Sequence, residues 1–116
     1  MLPRTNRLQK TKDIKKVFKR GKEVKEDLLI LRTVKNNLDN SRFGFIVSQK
    51  VSKRASLRNK VKRRLRDLVK GKLKKIKTGK DYLLIALPGL ETKSFKDIKE
   101  AVDKLFEKAK IIEHGT

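Results

Sequence analysis

The sequence predicts an α+β fold, a two-layer α-β sandwich in which three helices pack on a small mixed sheet of about four strands. β-rich apolar runs occur at 28–34, 43–48 and 81–88, and segments with apolar residues at helical spacing lie before, between and after them. Leu, Ile, Val and Phe make up about 31% of the 116 residues, enough for a core although 41% of the chain is charged. We therefore expect a single folded domain over residues 1–116.

The first helix is predicted to begin near Thr11. Ile14, Val17 and Phe18 fall on one face of it, and Gly21 stands where a left-handed residue would end it. Lysines surround Phe18 on this helix, so the pattern leaves both core packing and stacking on a nucleic-acid base open for its ring.

The strands follow from the β-rich runs. Turn-forming residues at 36–42 separate the runs at 28–34 and 43–48, which predicts that these two strands pair as antiparallel neighbours. The short piece at 22–25 is a candidate edge strand. The run DYLLIALP at 81–88 is almost continuously apolar, which is typical of a central strand covered on both faces.

The middle helix is predicted to begin at about Ser52 and is amphipathic. Its apolar positions recur at helical intervals, and they are Leu57, Val61, Leu65 and Leu68. The polar residues on the opposite side of the helical wheel are Asn59, Lys62, Arg63 and Arg66. This pattern predicts one face for the core and one for a partner.

A closing helix is predicted after Ser94, because Ser94 and Asp97 form an S-x-x-D start. Its apolar stripe consists of Ile98, Ala101, Val102, Leu105, Phe106 and Ala109. The rings of Phe95 and Phe106 are both expected to pack in the core.

Positive charge is concentrated in the first two thirds of the chain. The net charge is +21; residues 1–80 contain 28 Lys and Arg against 6 acids, whereas residues 81–116 contain 6 against 7. Residues 50–80 alone contain 15 basic residues and one acid, Asp67. Like charges four residues apart on the middle helix repel each other, so we expect a polyanion to offset the repulsion. Nucleic acid is the leading candidate and an anionic membrane the second.

The sequence lacks the residues of a self-sufficient enzyme. There is no cysteine, and the single histidine, His114, stands close to the C-terminus. Gly-Lys pairs at 21–22, 71–72 and 79–80 lack the rest of a phosphate-binding loop, and the acids are scattered. We expect neither catalytic residues nor a metal site in the protein. The absence of cysteine predicts a cytoplasmic location, and the apolar runs are too short to cross a membrane. Association with a membrane surface is disfavoured, because the apolar face of 57–68 is expected to be needed for the core.

Five segments occur in an order that carries a family resemblance. They are NRL at 6–8, KDIKKVFKRGK at 12–22, FGFIVSQKV at 43–51, RNKVKRRLR at 58–66 and DYLLIALP at 81–88. The fourth segment is similar to the Arg-Asn-Arg-x-x-Lys-Arg block that defines the bacterial ribonuclease P protein component, although Lys60 stands where Arg is usual. Members of this family are small basic subunits of a ribonucleoprotein that removes the 5′ leader from precursor tRNA. The chain resembles them over most of its length.

The resemblance implies an α-β sandwich with a left-handed βαβ crossover through the basic helix. It implies that a catalytic RNA subunit carries the active site and its Mg²⁺ ions, and that the protein binds this RNA and precursor tRNA with no obligatory protein partner. The residues implied to face the catalytic RNA are Arg58, Asn59, Lys60, Lys62, Arg63 and Arg66, with Lys50, Lys53 and Arg54 on the approach to the helix. The residues implied to meet the leader, between the first helix and the sheet, are Phe18, Ile14 and Arg32.

Other functions fit part of the sequence. A ribosomal or other structural RNA-binding protein would use the same basic helix without a catalytic partner, and it is the alternative. A protein-only nuclease would need a catalytic constellation that the sequence lacks. The expected function is therefore that of an RNA-binding subunit of an endoribonuclease that matures the 5′ end of tRNA.

Overall fold

The computed structural model of the protein describes residues 2–112, and His114 lies outside them. In chain order the described elements are α1 (Thr11–Arg20), β1 (Lys22–Glu26), β2 (Leu29–Lys35), β3 (Arg42–Ile46), α2 (Ala55–Lys72), β4 (Lys80–Ala86) and α3 (Phe95–Lys108). Short 3-10 turns lie at Arg4–Asn6, Leu73–Lys75 and Leu90–Thr92. This order of helices and strands confirms the predicted α+β class.

The four strands form one mixed sheet in the order β1-β2-β4-β3. As predicted, β4 lies inside the sheet, where it pairs antiparallel with β2 and parallel with β3. The chain passes from β3 to β4 through α2, which confirms the βαβ crossover. The candidate edge strand is confirmed as β1, antiparallel to β2. The predicted pairing of β2 with β3 is wrong, because β4 lies between them.

The loop between β2 and β3 explains this error. It contains turn-forming residues, but it does not close a hairpin. The Asn36 N–H donates to the Gly79 carbonyl at 3.0 Å, and the Gly79 N–H donates to the Asn40 carbonyl at 3.2 Å. The loop is therefore bonded to the residue just before β4, and it spans the width of that strand.

Helices cover both faces of the sheet. On one face, under α2 and α3, the Phe43 and Tyr82 rings stack with their centroids 4.7 Å apart, and Phe106 lies beside them. On the other face, Val17 of α1 packs with Leu83 of β4. Because β4 is covered on both faces, its sequence is almost continuously apolar.

The apolar stripes of α2 and α3 are largely buried, as predicted. The buried residues are Val61, Leu65, Leu68 and Val69 in α2, and Ile98, Ala101, Val102, Leu105 and Phe106 in α3. Leu57 is only half-buried. The prediction that Phe95 packs in the core is wrong, since its side chain is 46% exposed. Phe95 is the first residue of α3 and precedes the buried stripe.

The ends of the helices agree with the sequence in one case and differ in another. Ser94 Oγ accepts a hydrogen bond from the Asp97 N–H at 3.1 Å, which confirms the S-x-x-D start of α3. Gly21 has a φ of −71°, so the prediction that it adopts a left-handed conformation is wrong. A Cβ at this position would clash with the Val17 carbonyl oxygen. Glycine is needed at the end of α1 for this close approach of backbone.

Candidate nucleic-acid interface

Of the six α2 residues implied to face a catalytic RNA, Arg58 lies on the same side of the helix as Val61 and Leu65, and the other five lie on its outer side. The exposed ones are Asn59, Lys60 and Arg63, and the half-buried ones are Arg58, Lys62 and Arg66. Val61 and Leu65, on the inner side of the helix, are buried. The helix therefore has an apolar side in the core and a cationic side in contact with solvent, as the amphipathic pattern predicted.

The segment before α2 adds positive charge at the N-terminal end of this helix. Lys50, Lys53 and Arg54 are exposed there, and the first turn of α2 has neither an acidic residue nor a side-chain cap. Arg58 Nη1 donates to the carbonyl oxygens of Ser52 and Lys53 at 2.9 and 3.0 Å, which holds the segment against the helix. Basic side chains here add to the positive end of the helix dipole, so a phosphate is favoured at this position.

Acidic residues of the chain neutralise little of this surface. Within residues 2–112 the ion pairs are Arg32–Glu23, Arg42–Asp13, Arg42–Asp81, Lys72–Asp103 and Lys108–Glu26. Of these basic residues, only Lys72 belongs to α2, and it is the last residue of the helix. The cations that face solvent along α2 are therefore available to an external polyanion.

The second predicted binding region lies between α1 and the sheet. Ile14 is half-buried against the apolar cluster under α1, whereas Phe18 is 46% exposed. The half-buried apolar side chains packed beside that cluster on the strands are Val34, Ile46 and Ile85. Ile14 thus belongs partly to the core, and nearly half of the surface of Phe18 is open to a partner. Exposed aromatic rings of this kind stack on single-stranded bases.

Arg32, the third residue implied to meet the leader, is held within the fold. Its Nη2 donates to the carbonyl oxygens of Phe18 at 2.7 Å and Gly21 at 3.0 Å, and its Nε donates to that of Val17 at 3.4 Å. Its Nη1 pairs with Glu23 at 2.9 Å. Carbonyls at the end of a helix lack partners within the helix, so Arg32 fixes the end of α1 on β2. Its contact with the leader stays a prediction.

A buried ion pair that the sequence analysis missed joins β3 to β4. Asp81 is 2% exposed and accepts hydrogen bonds from Arg42 Nε at 2.8 Å and Nη2 at 2.7 Å. Asn36 Nδ2 donates to Asp81 at 2.9 Å, and Asp13 of α1 lies 3.4 Å from Arg42 Nη1. The hydrogen bond with Asp81 is the main reason that the pKa of Arg42 is raised. The signal in the sequence is the single acid that begins an apolar central strand, since a buried carboxylate needs a cationic partner.

No three His, Cys, Asp or Glu residues come together as a metal site would require in the part of the chain that the structure describes. In the same part, no helix is both long and apolar enough to cross a membrane. What residues 2–112 offer a partner is a cationic helix face and an apolar surface beside α1.

Comparisons with known proteins agree with this geometry. A family model described as Ribonuclease P matches residues 2–110. The ribonuclease P protein component of Synechocystis is 37% identical over 115 residues, which cover 98% of this chain and 93% of that protein. The structure of the RNase P protein from Staphylococcus aureus has a TM-score of 0.86 at 28% identity, covering 93% of this chain and 98% of that one. For the RNase P protein from Thermotoga maritima the TM-score is 0.79 at 28% identity, with coverage of 88% and 96%.

The matched residues include every helix and strand from α1 to α3 and the whole cationic side of α2. The curated relatives and the solved structures carry the same family name, and the solved structures have the same α+β fold. The chain therefore belongs to the ribonuclease P protein family, and it is an RNA-binding protein subunit of the endoribonuclease ribonuclease P, which processes tRNA and whose catalytic RNA is a separate subunit.

Proposed function

We propose that this protein binds the catalytic RNA of ribonuclease P through the outer side of α2, and the 5′ leader of precursor tRNA through the surface beside α1. The observation that carries the proposal is the row of Lys62, Arg63 and Arg66 on α2, which have no acidic partner among residues 2–112. Arginine binds a phosphate through two parallel hydrogen bonds, and lysine supplies a mobile point charge. The α2 surface offers both kinds of contact.

The physical role of the protein in this proposal is to bring two RNAs together. The phosphates of a catalytic RNA and of a precursor tRNA repel each other, and cations on the protein lower that repulsion by replacing condensed counterions. Because α1 and α2 lie on opposite faces of one sheet, the two RNAs are held at a fixed relative position. The Mg²⁺ ions belong to the RNA subunit in this proposal, where they supply the metal chemistry.

The exposed ring of Phe18 supports the leader contact, because unpaired bases stack on aromatic side chains. Ile14 adds apolar surface beside it. Arg32 contributes by holding the end of α1, through its hydrogen bond to the Phe18 carbonyl oxygen. A leader strand would therefore meet an aromatic ring on a helix whose end is held to the sheet by Arg32.

The test is cleavage of precursor tRNA by the cognate RNA subunit at low Mg²⁺ concentration. Adding the protein is expected to raise the cleavage rate, and Lys60→Ala on α2 is expected to reduce this stimulation. Lys99→Ala removes the same charge from an exposed position on α3 and is the matched control. If the wild-type protein gives no stimulation at any Mg²⁺ concentration, the proposal is wrong.

Binding of tRNA with and without the leader distinguishes our proposal from the alternative, a structural RNA-binding protein. In the presence of the RNA subunit, our proposal predicts tighter binding of precursor tRNA than of mature tRNA, and a smaller difference for Phe18→Ala. A structural RNA-binding protein predicts no such difference. The cytoplasmic location expected from the sequence stays a prediction, and fractionation of cells with detection of the protein would test it.

A further inference from the structure

A cleft of about 280 Å³ lies where the N-terminal segment, β3 and α2 meet. The residues that line it and matter here are Leu8, Gln9, Gly44, Phe45, Lys62 and Arg66. The strand and the N-terminal segment thus supply apolar surface and an amide, while the helix supplies two cations. The cleft lies beside Lys62 and Arg66 of α2, and neither Ile14 nor Phe18 of α1 lines it.

The N-terminal segment forms one wall of this cleft, and hydrogen bonds to β3 and to the residue before it hold the segment in place. The Leu8 N–H donates to the Phe43 carbonyl oxygen at 2.9 Å, and Asn6 Nδ2 donates to the Ser41 carbonyl oxygen at 2.6 Å. A Cβ on Gly44 would lie 3.2 Å from the Leu8 carbonyl oxygen, so glycine allows the segment to lie directly against β3. The segment is therefore bonded along the edge of the sheet, which keeps the cleft open between it and α2.

The side chains in the cleft have unused binding capacity. Phe45 is half-buried, and its ring stacks on that of Phe43 with the centroids 6.4 Å apart. The Gln9 side chain is exposed, and its amide has no hydrogen-bond partner within residues 2–112. Lys62 and Arg66 are half-buried without an acidic partner in the same range. Partly desolvated cations of this kind are stabilised by an external anion.

We propose that this cleft binds one unpaired nucleotide of an RNA, with its base against Phe45, its base edge on the Gln9 amide and its phosphate on Lys62 and Arg66. The inference rests on the RNA-binding function proposed above and extends it. An aromatic face, a group that both donates and accepts, and two cations match the three parts of a nucleotide.

The size and the chemistry of the cleft both favour an unpaired nucleotide. Small-molecule sites have volumes of roughly 300 to 1,000 Å³, so a cleft of about 280 Å³, just below this range, suits one base rather than a longer segment. A base inside a duplex shows only its groove edge, whereas an extruded base presents its ring face. Phosphate contacts carry no sequence information, so this cleft would add base recognition to the α2 surface.

The test compares the binding of a fully paired RNA hairpin with that of four hairpins that carry one extra, bulged nucleotide in the stem. The bulged nucleotide is a different one of the four bases in each hairpin. We expect the wild-type protein to bind at least one bulged hairpin about fivefold or more tightly than the fully paired hairpin, as base stacking on an aromatic ring predicts. Gln9→Ala and Phe45→Leu should remove most of this preference and leave the affinity for the paired hairpin unchanged. Gln49→Ala is the matched control, because Gln49 is an exposed glutamine outside the cleft.

The proposal is overturned if the wild-type protein binds the paired and all bulged hairpins equally, or if the preference survives in both cleft variants. Circular dichroism shows whether Phe45→Leu folds; if it does not, the exposed Gln9 position alone decides. If the protein stimulates cleavage of precursor tRNA but shows no preference for bulged hairpins, nucleotide binding in the cleft is disproved and the proposed function still holds. A bulge preference without stimulated cleavage would do the reverse.

Discussion

The arginines of this protein fall into two groups that differ in what they contact, and Arg58, whose Nη1 donates to two carbonyl oxygens just before α2, belongs with those held by the chain. Arg32 and Arg42 donate to oxygen atoms of the chain itself, at the end of α1 and at the start of β4. Arg63 and Arg66, on the outer side of α2, have no acidic partner in residues 2–112. The guanidinium groups of the first group stabilise the fold, and those of the second are left for a partner.

The supply of acceptors causes this difference. Beside α1, helix-end carbonyls and the buried carboxylate of Asp81 lie 2.7 to 3.4 Å from arginine nitrogens. Residues 50–80 contain one acid, Asp67, among 15 basic residues. An arginine without an internal acceptor keeps its donors for phosphate oxygens. Net charge alone therefore does not show which arginines are held by the fold and which are left for a partner, whereas their positions in the fold do.

The largest effect is expected for Arg42→Ala. This change leaves the carboxylate of Asp81 buried without its cation, which should lower the free energy of unfolding by about 3–5 kcal/mol. Urea unfolding measured by circular dichroism gives this value. A loss below about 1 kcal/mol would contradict the division into two groups, because Arg42 would then contribute no more than an exposed arginine.

The direction in which the pKa of Arg42 is shifted determines how its contribution to folding stability depends on pH. The pKa of Arg42 is raised in the folded protein, mainly by its hydrogen bond to Asp81. The stabilisation by its charge is therefore complete below the ordinary arginine pKa and is lost only as pH rises through the raised value. Comparing wild type with Arg42→Ala in urea unfolding series, we expect titration of this guanidinium to cause no loss of stability between about pH 6 and 9.

The second largest effect on stability is expected for Leu65→Ala, which tests whether the buried and the outer sides of α2 have different roles. Leu65 is fully buried, so Leu65→Ala should lower the free energy of unfolding by about 2–5 kcal/mol. The RNA affinity of the remaining folded protein should stay near that of wild type, because the side chain does not reach the outer side. Equilibrium binding at 10 °C, together with a urea unfolding curve, checks both. Loss of RNA affinity with unchanged stability would mean that the helix is oriented differently.

Local sequence patterns were sufficient to predict the helices and strands and the cationic side of α2. Spacings of three and four residues fixed which side of α2 is buried, and an apolar run marked β4 as central. The pairing of β2 with β4 was not predictable from the turn-rich loop after β2, since a strand much later in the chain displaces β3. Long-range contacts decide this, and a local turn signal does not.

The arginines held by the fold were also beyond local pattern. Arg42 and Asp81 are 39 positions apart, and only the parallel pairing of β3 with β4 brings them together. Arg32 bonds to backbone carbonyls that exist as free acceptors only because α1 ends there. A sequence shows that an arginine is present, whereas its acceptors depend on the fold.

A moderate effect is expected for Arg32→Ala. The carbonyl oxygens of Val17, Phe18 and Gly21 lose a charged donor, so the free energy of unfolding should fall by about 1–3 kcal/mol. Hydrogen exchange of the amides in the last turn of α1 should become faster. Arg32→Lys keeps the charge but loses the planar set of N–H donors, so we expect it to recover only part of the lost stability. Unchanged stability with weaker leader binding would move Arg32 into the group of arginines left for RNA.

The smallest effect on stability is expected for Arg63→Ala. The side chain is exposed and has no acidic partner within residues 2–112, so the free energy of unfolding should change by less than about 0.5 kcal/mol. The affinity for the RNA subunit should fall, and the slope of log affinity against log salt should decrease by about 1, as expected for one lost phosphate contact. Arg63→Lys, which keeps the charge, should retain the slope. An unchanged slope for Arg63→Ala would mean that this residue does not contact phosphate, and the RNA-facing group would then have to be redrawn around Lys62 and Arg66.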